Sequence, residues 1–323
     1  MDWEQRCIRL CGAMIAAAIA LRLVAGGALA GVGQALTQPG TASFLLYLQT
    51  GRVVRTVPQE SAQPQPIRET VPPQPEKPTF TAEDAELITI DLGCDRDPDV
   101  EMLLTEPLEL DLTGTEPKVL ILHSHTTESY AQTADRYEET SPYRTLDPGH
   151  NMLALGEIVA DILEEAGIGV IHDTTFHDYP SYNGAYSHAA ASTKAILSQY
   201  PSIELVLDLH RDAADTPTGQ LVTKCSLGGE TAAQLMFVMG TDARLNHPDW
   251  EQNLSLALKL QVLLEKENPG ICRDLNLTKN RYNQHLGNLA LLVEIGAAGN
   301  TLEQAKLAAR ELGEAIVKLA GEQ

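Results

Sequence analysis

Lys118-Val119-Leu120-Ile121-Leu122-His123-Ser124-His125-Thr126-Thr127-Glu128 runs a short apolar stretch straight into a cluster of imidazoles, hydroxyls and a carboxylate. Four apolar residues in a row are too few for a helix and suit a buried strand. Downstream the pattern alternates. Met152 to Ala166 has helical spacing and stops at Gly167, a helix-terminating signal. Val170-Ile171 reads as a second strand, Tyr186 to Tyr200 as a helix ahead of Pro201, and Leu205 to Leu209 as another buried strand. Leu221 to Lys224 alternates like an edge strand, and Gln234 to Met239 is strand-like. Trp250 to Lys266 is an amphipathic helix stopped by Asn268-Pro269-Gly270. Leu289 to Ile295 is a strand, and Thr301 to Ala320 a final helix with Thr301 as its N-cap and Glu303 close behind. Strands alternating with helices of this length predict an α/β domain with a mainly parallel central sheet flanked by helices.

The chemistry gathers where strands end. The first run delivers His123, His125 and Glu128; the third delivers Asp208, His210, Arg211 and Asp212; the last carries Glu294. Open α/β sheets form their sites beyond the carboxyl ends of strands, so segments far apart in sequence converge there. Two histidines and one carboxylate are a common catalytic zinc set, and a further carboxylate nearby takes a proton from water. His123 and His125, read on an extended segment, point to one side, one a ligand and the other its neighbour. A turn cap is the plain alternative for Glu128, and a surface ion-pair cluster for His210-Arg211-Asp212. Glu294 stands in Leu291-Leu292-Val293-Glu294-Ile295-Gly296, where an unpaired buried carboxylate is costly and a nearby cation explains it better than chance. Nucleotide-binding and serine-hydrolase motifs are missing.

Outward from this core, the 323-residue chain carries a net charge of −21, which excludes nucleic acid as a partner. Its five cysteines form no framework, and a Cys225–Cys272 disulfide is the one pairing considered. From Leu10 to Gly51 the only charged side chain is Arg22. Residues 1–9 are expected to be a short cytoplasmic tail. Residues 10–33 are expected to form an apolar helix, either a membrane anchor or a signal segment cleaved after Ala30. Both readings send the remainder out of the cytoplasm, as a single-pass cell-membrane protein in the anchored case. Residues 34–115 form an extracytoplasmic stalk. Its Pro/Gln-rich stretch 57–78 buries too little apolar surface to fold and is a disordered spacer. Residues 116–323 are the catalytic domain.

Six motifs extend the pattern: HSHTTESY (His123 to Tyr130), HDYPSYNGAY (His177 to Tyr186), LDLHRDA (Leu207 to Ala213), HPDWEQNL (His247 to Leu254), RYNQHL (Arg281 to Leu286) and LLVEIGAAGNTLEQA (Leu291 to Ala305). In this order they resemble the stage II sporulation protein P family, itself similar to zinc-dependent N-acetylmuramoyl-L-alanine amidases of the amidase 3 type. The resemblance implies an amidase-like fold, one Zn2+ ion and cleavage of peptidoglycan between N-acetylmuramic acid and L-alanine, with endopeptidase activity besides. It implies action in forespore engulfment, with a lytic transglycosylase and a membrane protein as partners. It places His125 and His210 on the metal-binding histidines and Glu294 on the catalytic glutamate. Glu128 is taken as the carboxylate ligand, with Glu138 and Glu139 as rivals because amidase 3 relatives carry that residue further downstream. His123 is a substitute ligand or a neighbour of the ligands; Asp208, Arg211, Asp212 and Asn283 support the site or touch substrate. Two departures from the family pattern are Ser187-His188-Ala189, where a basic residue is expected, and His285, where an acid is expected. A non-catalytic wall-binding scaffold and a zinc peptidase with another extracellular substrate are the competing readings.

Overall fold

The computed structural model describes residues 77–321. The expected tail, the apolar segment 10–33, Cys7, Cys11 and nearly all of the spacer lie outside the described residues. Among the described residues no helix is long and apolar enough to cross a membrane.

Seven strands form one sheet: β1 (Ile90–Gly93), β2 (Pro117–Leu122), β3 (Gly169–His172), β4 (Leu205–Asp212), β5 (Leu235–Gly240), β6 (Leu275–Thr278) and β7 (Leu289–Ala297), in the order β1-β6-β5-β7-β4-β2-β3. Every pairing in it is parallel except β7 with β5. The mainly parallel sheet expected from the sequence is therefore present, with one reversal inside it. Among the described residues five α-helices accompany it, α1 (Val100–Thr105), α2 (Met152–Glu165), α3 (Ala185–Gln199), α4 (Trp250–Glu267) and α5 (Leu302–Ala320), with a 3-10 helix at Ala82–Leu87.

Local chemistry sets the helix ends. Asn151 caps α2 by accepting from Leu153 N at 3.0 Å, and Gly167 (φ +82°) turns the chain out of it. Thr301 caps α5 as expected, but its reciprocal partner is Gln304 rather than Glu303, because the capping-box position falls three residues on.

The two faces of the sheet differ. On one, Val119, Ile121, Leu205, Leu207, Leu209, Leu291, Val293 and Ile295 meet α2, α4 and α5 in the main core. Each such fully buried aliphatic side chain contributes roughly 1.5–3 kcal/mol. On the other, Leu120, Leu122, Val206 and Ala290 meet Ala189 of α3 in a smaller core. The strand positions that continue this second face, Asp208 and His210 on β4 and Glu294 on β7, are polar. Register sets them side by side: Leu122 pairs with Asp208, and His210 with Glu294.

Two expectations change, and the one cysteine pairing considered is not formed. The folded domain extends ahead of residue 116: β1 pairs with β6 over Ile90↔Leu275 to Gly93↔Thr278, and Leu103, Leu104, Leu110 and Leu112 enter the main core. Apolar residues too sparse to fold alone are buried by the rest of the domain. Leu221 to Lys224 is not an edge strand of the main sheet. Gly219–Gln220 pairs with Asp215–Thr216, and Lys224–Leu227 with Glu230–Ala233, in two separate hairpins, the second turned by Gly228-Gly229. Cys225 and Cys272 are free thiols.

Two measurements follow from this packing. A Cβ on Gly156 would lie 2.5 Å from His172 Nε2 and 2.6 Å from His123 Nε2, two rings wedged between α2 and the sheet. Gly156→Ala is expected to destabilise by about 1–3 kcal/mol in denaturant unfolding, as overpacking does; unchanged stability would mean the rings move aside freely. Lys259 on α4 is buried, donating to Leu103 O at 2.6 Å and Ser255 Oγ at 3.0 Å. Burial lowers its pKa to about 8, from an ordinary 10.5, against a small opposing pull from Glu106. The unfolded chain therefore binds more protons between those values, and stability at this site rises as pH climbs from 8 towards 10.5. Leu103 O keeps a donor in Ser255 Oγ at 2.7 Å. Lys259→Met is expected to raise the denaturation midpoint at pH 7 and to lose that advantage by pH 10; a gain equal at both pH values would contradict the assignment.

Candidate active site

Beyond Leu122 the chain does not continue as a strand. Residues 124–127 form a tight turn, closed by Glu128 N donating to His125 O at 3.1 Å. Two carboxylates hold it. Asp208 accepts from Ser124 N at 2.8 Å and from Ser124 Oγ at 2.6 Å; Asp178 accepts from Thr127 N at 3.1 Å and from Thr127 Oγ1 at 2.6 Å.

The turn sends the two histidines to opposite faces of the sheet, correcting the expectation that they share one. His123 turns towards α2, with Nδ1 3.1 Å from Leu209 O and Nε2 2.9 Å from His172 Nε2. Burial first, then His172, lowers its pKa to about 3. His123 faces α2, while Asp208 and His210 are near enough for their charges to bear on it.

His125 turns towards α3. Its ring stacks on Tyr182 (4.6 Å, 4°) and stands edge-on to Tyr186 (5.3 Å, 85°) and to His210 (5.3 Å, 87°). It is 8% exposed, and its Nδ1 is buried with no hydrogen-bond partner. His210 Nδ1 lies 3.5 Å from Glu128 Oε2. On its other side His210 Nε2 lies 2.9 Å from Asp208 Oδ1, a close ionic contact too oblique for a full hydrogen bond. Burial disfavours charge on His210, but Asp208 and Glu128 outweigh it and hold the imidazole well above its ordinary pKa.

Glu128 is buried, a condition that alone would raise its pKa; Arg211 and then His210 reverse the effect and bring it to about 2. Oε1 lies 3.2 Å from Arg144 Nη2 and 3.7 Å from Arg211 Nη1, and Oε2 accepts from Arg211 N at 3.3 Å. Arg211 also donates to Ser129 O and Tyr143 O, both at 2.9 Å, so it clamps the turn and the segment after it. Glu294, beside His210 on β7, has a buried Oε2 without a partner. Burial pushes its pKa up to about 8 against the pull of His210, with Glu128 and Asp212 adding to the rise. A carboxyl with that proton affinity is matched to proton transfer near neutral pH.

Of the remaining candidates, Asn283 Nδ2 donates to Tyr186 O at 2.8 Å. Asp212 turns away from the histidines to Arg273 Nη1 at 2.7 Å. Glu138 and Glu139 are exposed, on the loop before Arg144, and Glu139 accepts from Tyr143 N at 3.3 Å. The structure thus brings His125, Glu128, His210, Asp208 and Glu294 together, and leaves His123, Asp212, Glu138 and Glu139 outside.

Sequence reading missed Arg144, Asp178 and the tyrosines. Arg144 donates to Asp178 Oδ2 at 2.6 Å and lies 4.7 Å over the Tyr182 ring, bracing both Glu128 and the turn. Tyr186 stacks near His210 (6.1 Å, 11°), and burial, with Asp208, Glu294 and Glu128 adding, raises its pKa. Asp178, Tyr182 and Tyr186 all fall in the HDYPSYNGAY motif, the available signal; Arg144 had none.

Among the described residues no group of three or more His, Cys, Asp or Glu side chains stands ready-made to hold a metal ion. The donors nonetheless suit one. Asp208 beside His210 Nε2 favours the tautomer that leaves Nδ1 a lone pair facing Glu128, and His125 offers a buried, unpartnered Nδ1. Outer carboxylates orient metal-binding imidazoles in this way.

The family described as stage II sporulation protein P (SpoIIP) matches residues 52–317. Stage II sporulation protein P of Bacillus subtilis (strain 168) is 29% identical over 211 residues, covering 61% of this chain and 49% of that protein. The chain thus spans about half the length of the curated relative it matches. Solved structures with distant likeness include N-acetylmuramoyl-L-alanine amidase AmiC2 of Nostoc punctiforme, at TM-score 0.38 and 14% identity over 64% of this chain and 97% of that one. An N-acetylmuramoyl-L-alanine amidase from Clostridium difficile 630 gives TM-score 0.37 and 16% identity, with 63% and 96% covered. The family match takes in well over half of the sequence, including every element that builds the site, and the chain belongs to the stage II sporulation protein P family.

Proposed function

We propose that this chain is a zinc-dependent peptidoglycan hydrolase of sporulation, an N-acetylmuramoyl-L-alanine amidase with endopeptidase activity besides. The observation that carries the reading is the pair of buried, unpartnered atoms, His125 Nδ1 and Glu294 Oε2, flanking the His210–Glu128 contact. Burying polar atoms without partners costs about 1–3 kcal/mol each, and a bound cation with its water relieves that cost. Family membership supports the setting. In the same reading residues 10–33 tether the chain to the cell membrane with the catalytic domain outside, and a lytic transglycosylase and a membrane protein of the engulfment machinery work beside it.

His125, Glu128 and His210 are the residues to hold the ion. Zinc, when bound, supplies Lewis-acid polarisation of the oxygens around it. The chain's own residues do the rest. Asp208 keeps the His210 proton on Nε2. Arg144 and Arg211 keep Glu128 ionised. Glu294, ionised once a cation sits beside it, takes a proton from the attacking water as the water oxygen bonds to the amide carbon, then gives that proton to the nitrogen as the C–N bond breaks. The products are a carboxylic acid on the muramoyl side and a free L-alanine amine.

Glu294→Gln in the full chain is expected to keep its zinc while hydrolysis of labelled cell wall falls about 10²–10⁴-fold, with the L-alanine amine read by mass spectrometry. Hydrolysis at the parent rate with zinc retained would remove Glu294 from the reaction. Stripping the metal and adding zinc back is expected to raise the melting temperature in a concentration-dependent way. His210→Ala is expected to abolish that rise, and an undiminished rise in the variant would place zinc elsewhere.

A further inference from the structure

Tyr186 is the best-held side chain at the site with no task in the reaction above. It sits in the first turn of α3, just after Gly184 (φ +93°). Its ring lies near-parallel to His210, edge-on to His125, and 5.6 Å from Tyr282. Its carbonyl is held by Asn283 Nδ2 at 2.8 Å. Tyr282 (φ +43°) and Asn283 (φ +65°) both occupy the left-handed region, a conformation costing such residues on the order of 1–3 kcal/mol each. Gln284 pins the loop that carries them by accepting from Gly240 N and donating to Val238 O, both at 2.7 Å. Strained backbone and three aromatic neighbours fix the ring, while the phenol makes no hydrogen bond to any described residue, although Asp208, Glu294 and Glu128 are near enough for their charges to bear on it. Packing alone asks only for a phenyl ring. A phenol whose ring is held beside both histidines and whose hydroxyl is left unpaired is placed for something that arrives.

The geometry points to Tyr186 as a further catalytic residue, whose phenol O–H donates a hydrogen bond to the scissile carbonyl oxygen as negative charge gathers there. This rests on the amide-hydrolase reading. As the water oxygen bonds to the carbonyl carbon, the carbonyl π electrons move onto oxygen and the water proton goes to Glu294. Tyr186 transfers no proton; it stabilises the oxyanion, and releases it when the C–N bond breaks and the carbonyl re-forms. Asn283 is a positioning residue that holds Tyr186 through its carbonyl.

The test compares the zinc-loaded full chain with Tyr186→Phe and Glu294→Gln on cell wall of known amide content, measuring kcat, KM, zinc content and melting temperature. Removing one such donor costs on the order of 100-fold in kcat. Tyr186→Phe is expected to show that loss with KM, zinc content and melting temperature unchanged, because the lost interaction exists only in the transition state. Asn283→Gly, which tolerates the left-handed backbone and removes the side-chain donor to Tyr186 O, is expected to lower kcat several-fold alone and to add nothing when combined with Tyr186→Phe. Parent-rate turnover by Tyr186→Phe, or a loss confined to KM or accompanied by lost zinc, overturns the inference and leaves the hydrolase reading standing. A parent chain that releases no L-alanine amine overturns both.

Discussion

The Asp208 carboxylate joins fold and site. Register places it opposite Leu122, the last residue of β2, and from there it receives both donors of Ser124 while bearing on His210 two residues along its own strand. Taking this charge out of water is costly unless it is paired and hydrogen-bonded, and here it is both. The chain leaving β2 must therefore turn where it does, and the turn decides which histidine faces the site. His125 and Glu128 reach His210 because Ser124 is anchored. Without that anchor a continuing strand would carry His123 and His125 to one side and leave Glu128 on the other.

The same logic explains why the charged groups of the site gather on one face of the sheet. The face covered by α2, α4 and α5 is aliphatic through most of the central strands, and the imidazole that enters it from the end of β2, His123, is kept neutral by burial. The α3 face is closed by a small core around Ala189, and beyond it β4 and β7 present Asp208, His210 and Glu294. Charges gathered there are balanced rather than diluted. Arg211 and Arg144 answer Glu128, Asp208 answers His210, and Glu294, with no cation of its own, stays protonated to higher pH. Environment thus gives neighbouring glutamates opposite proton affinities, the division of labour that acid–base chemistry needs.

How much of this was legible depended on how local each signal was. The buried strands at Val119, Leu205 and Leu289 were readable because parallel strands covered on both faces are continuous apolar runs. Glu294 stood out because a lone acid in such a run calls for an explanation. β6 was not readable, and the weak periodicity around Ile90 and Leu92 hinted at β1 without showing its place: Ile90-Asp91-Leu92-Gly93 and Leu275-Asn276-Leu277-Thr278 are short and alternating, and the first finds its partner only across a long stretch of chain. The His123–His125 alternation was misread because the deciding contact, Ser124 to Asp208, spans 84 positions. Arg144 was invisible for the same reason, since its value lies in meeting Asp178 on another loop. Periodicity reports burial, whereas the shape of the site is written in long-range polar contacts.

A single divalent cation held between two imidazole nitrogens and a carboxylate is what the proposed chemistry requires. X-ray absorption at the zinc edge of the full chain tests this directly. The expected spectrum shows one zinc per chain with two nitrogen and one or two oxygen neighbours at about 2.0–2.2 Å and no sulfur. A chain that retains no zinc, or zinc with sulfur neighbours drawn from Cys94, Cys225 or Cys272, would contradict it.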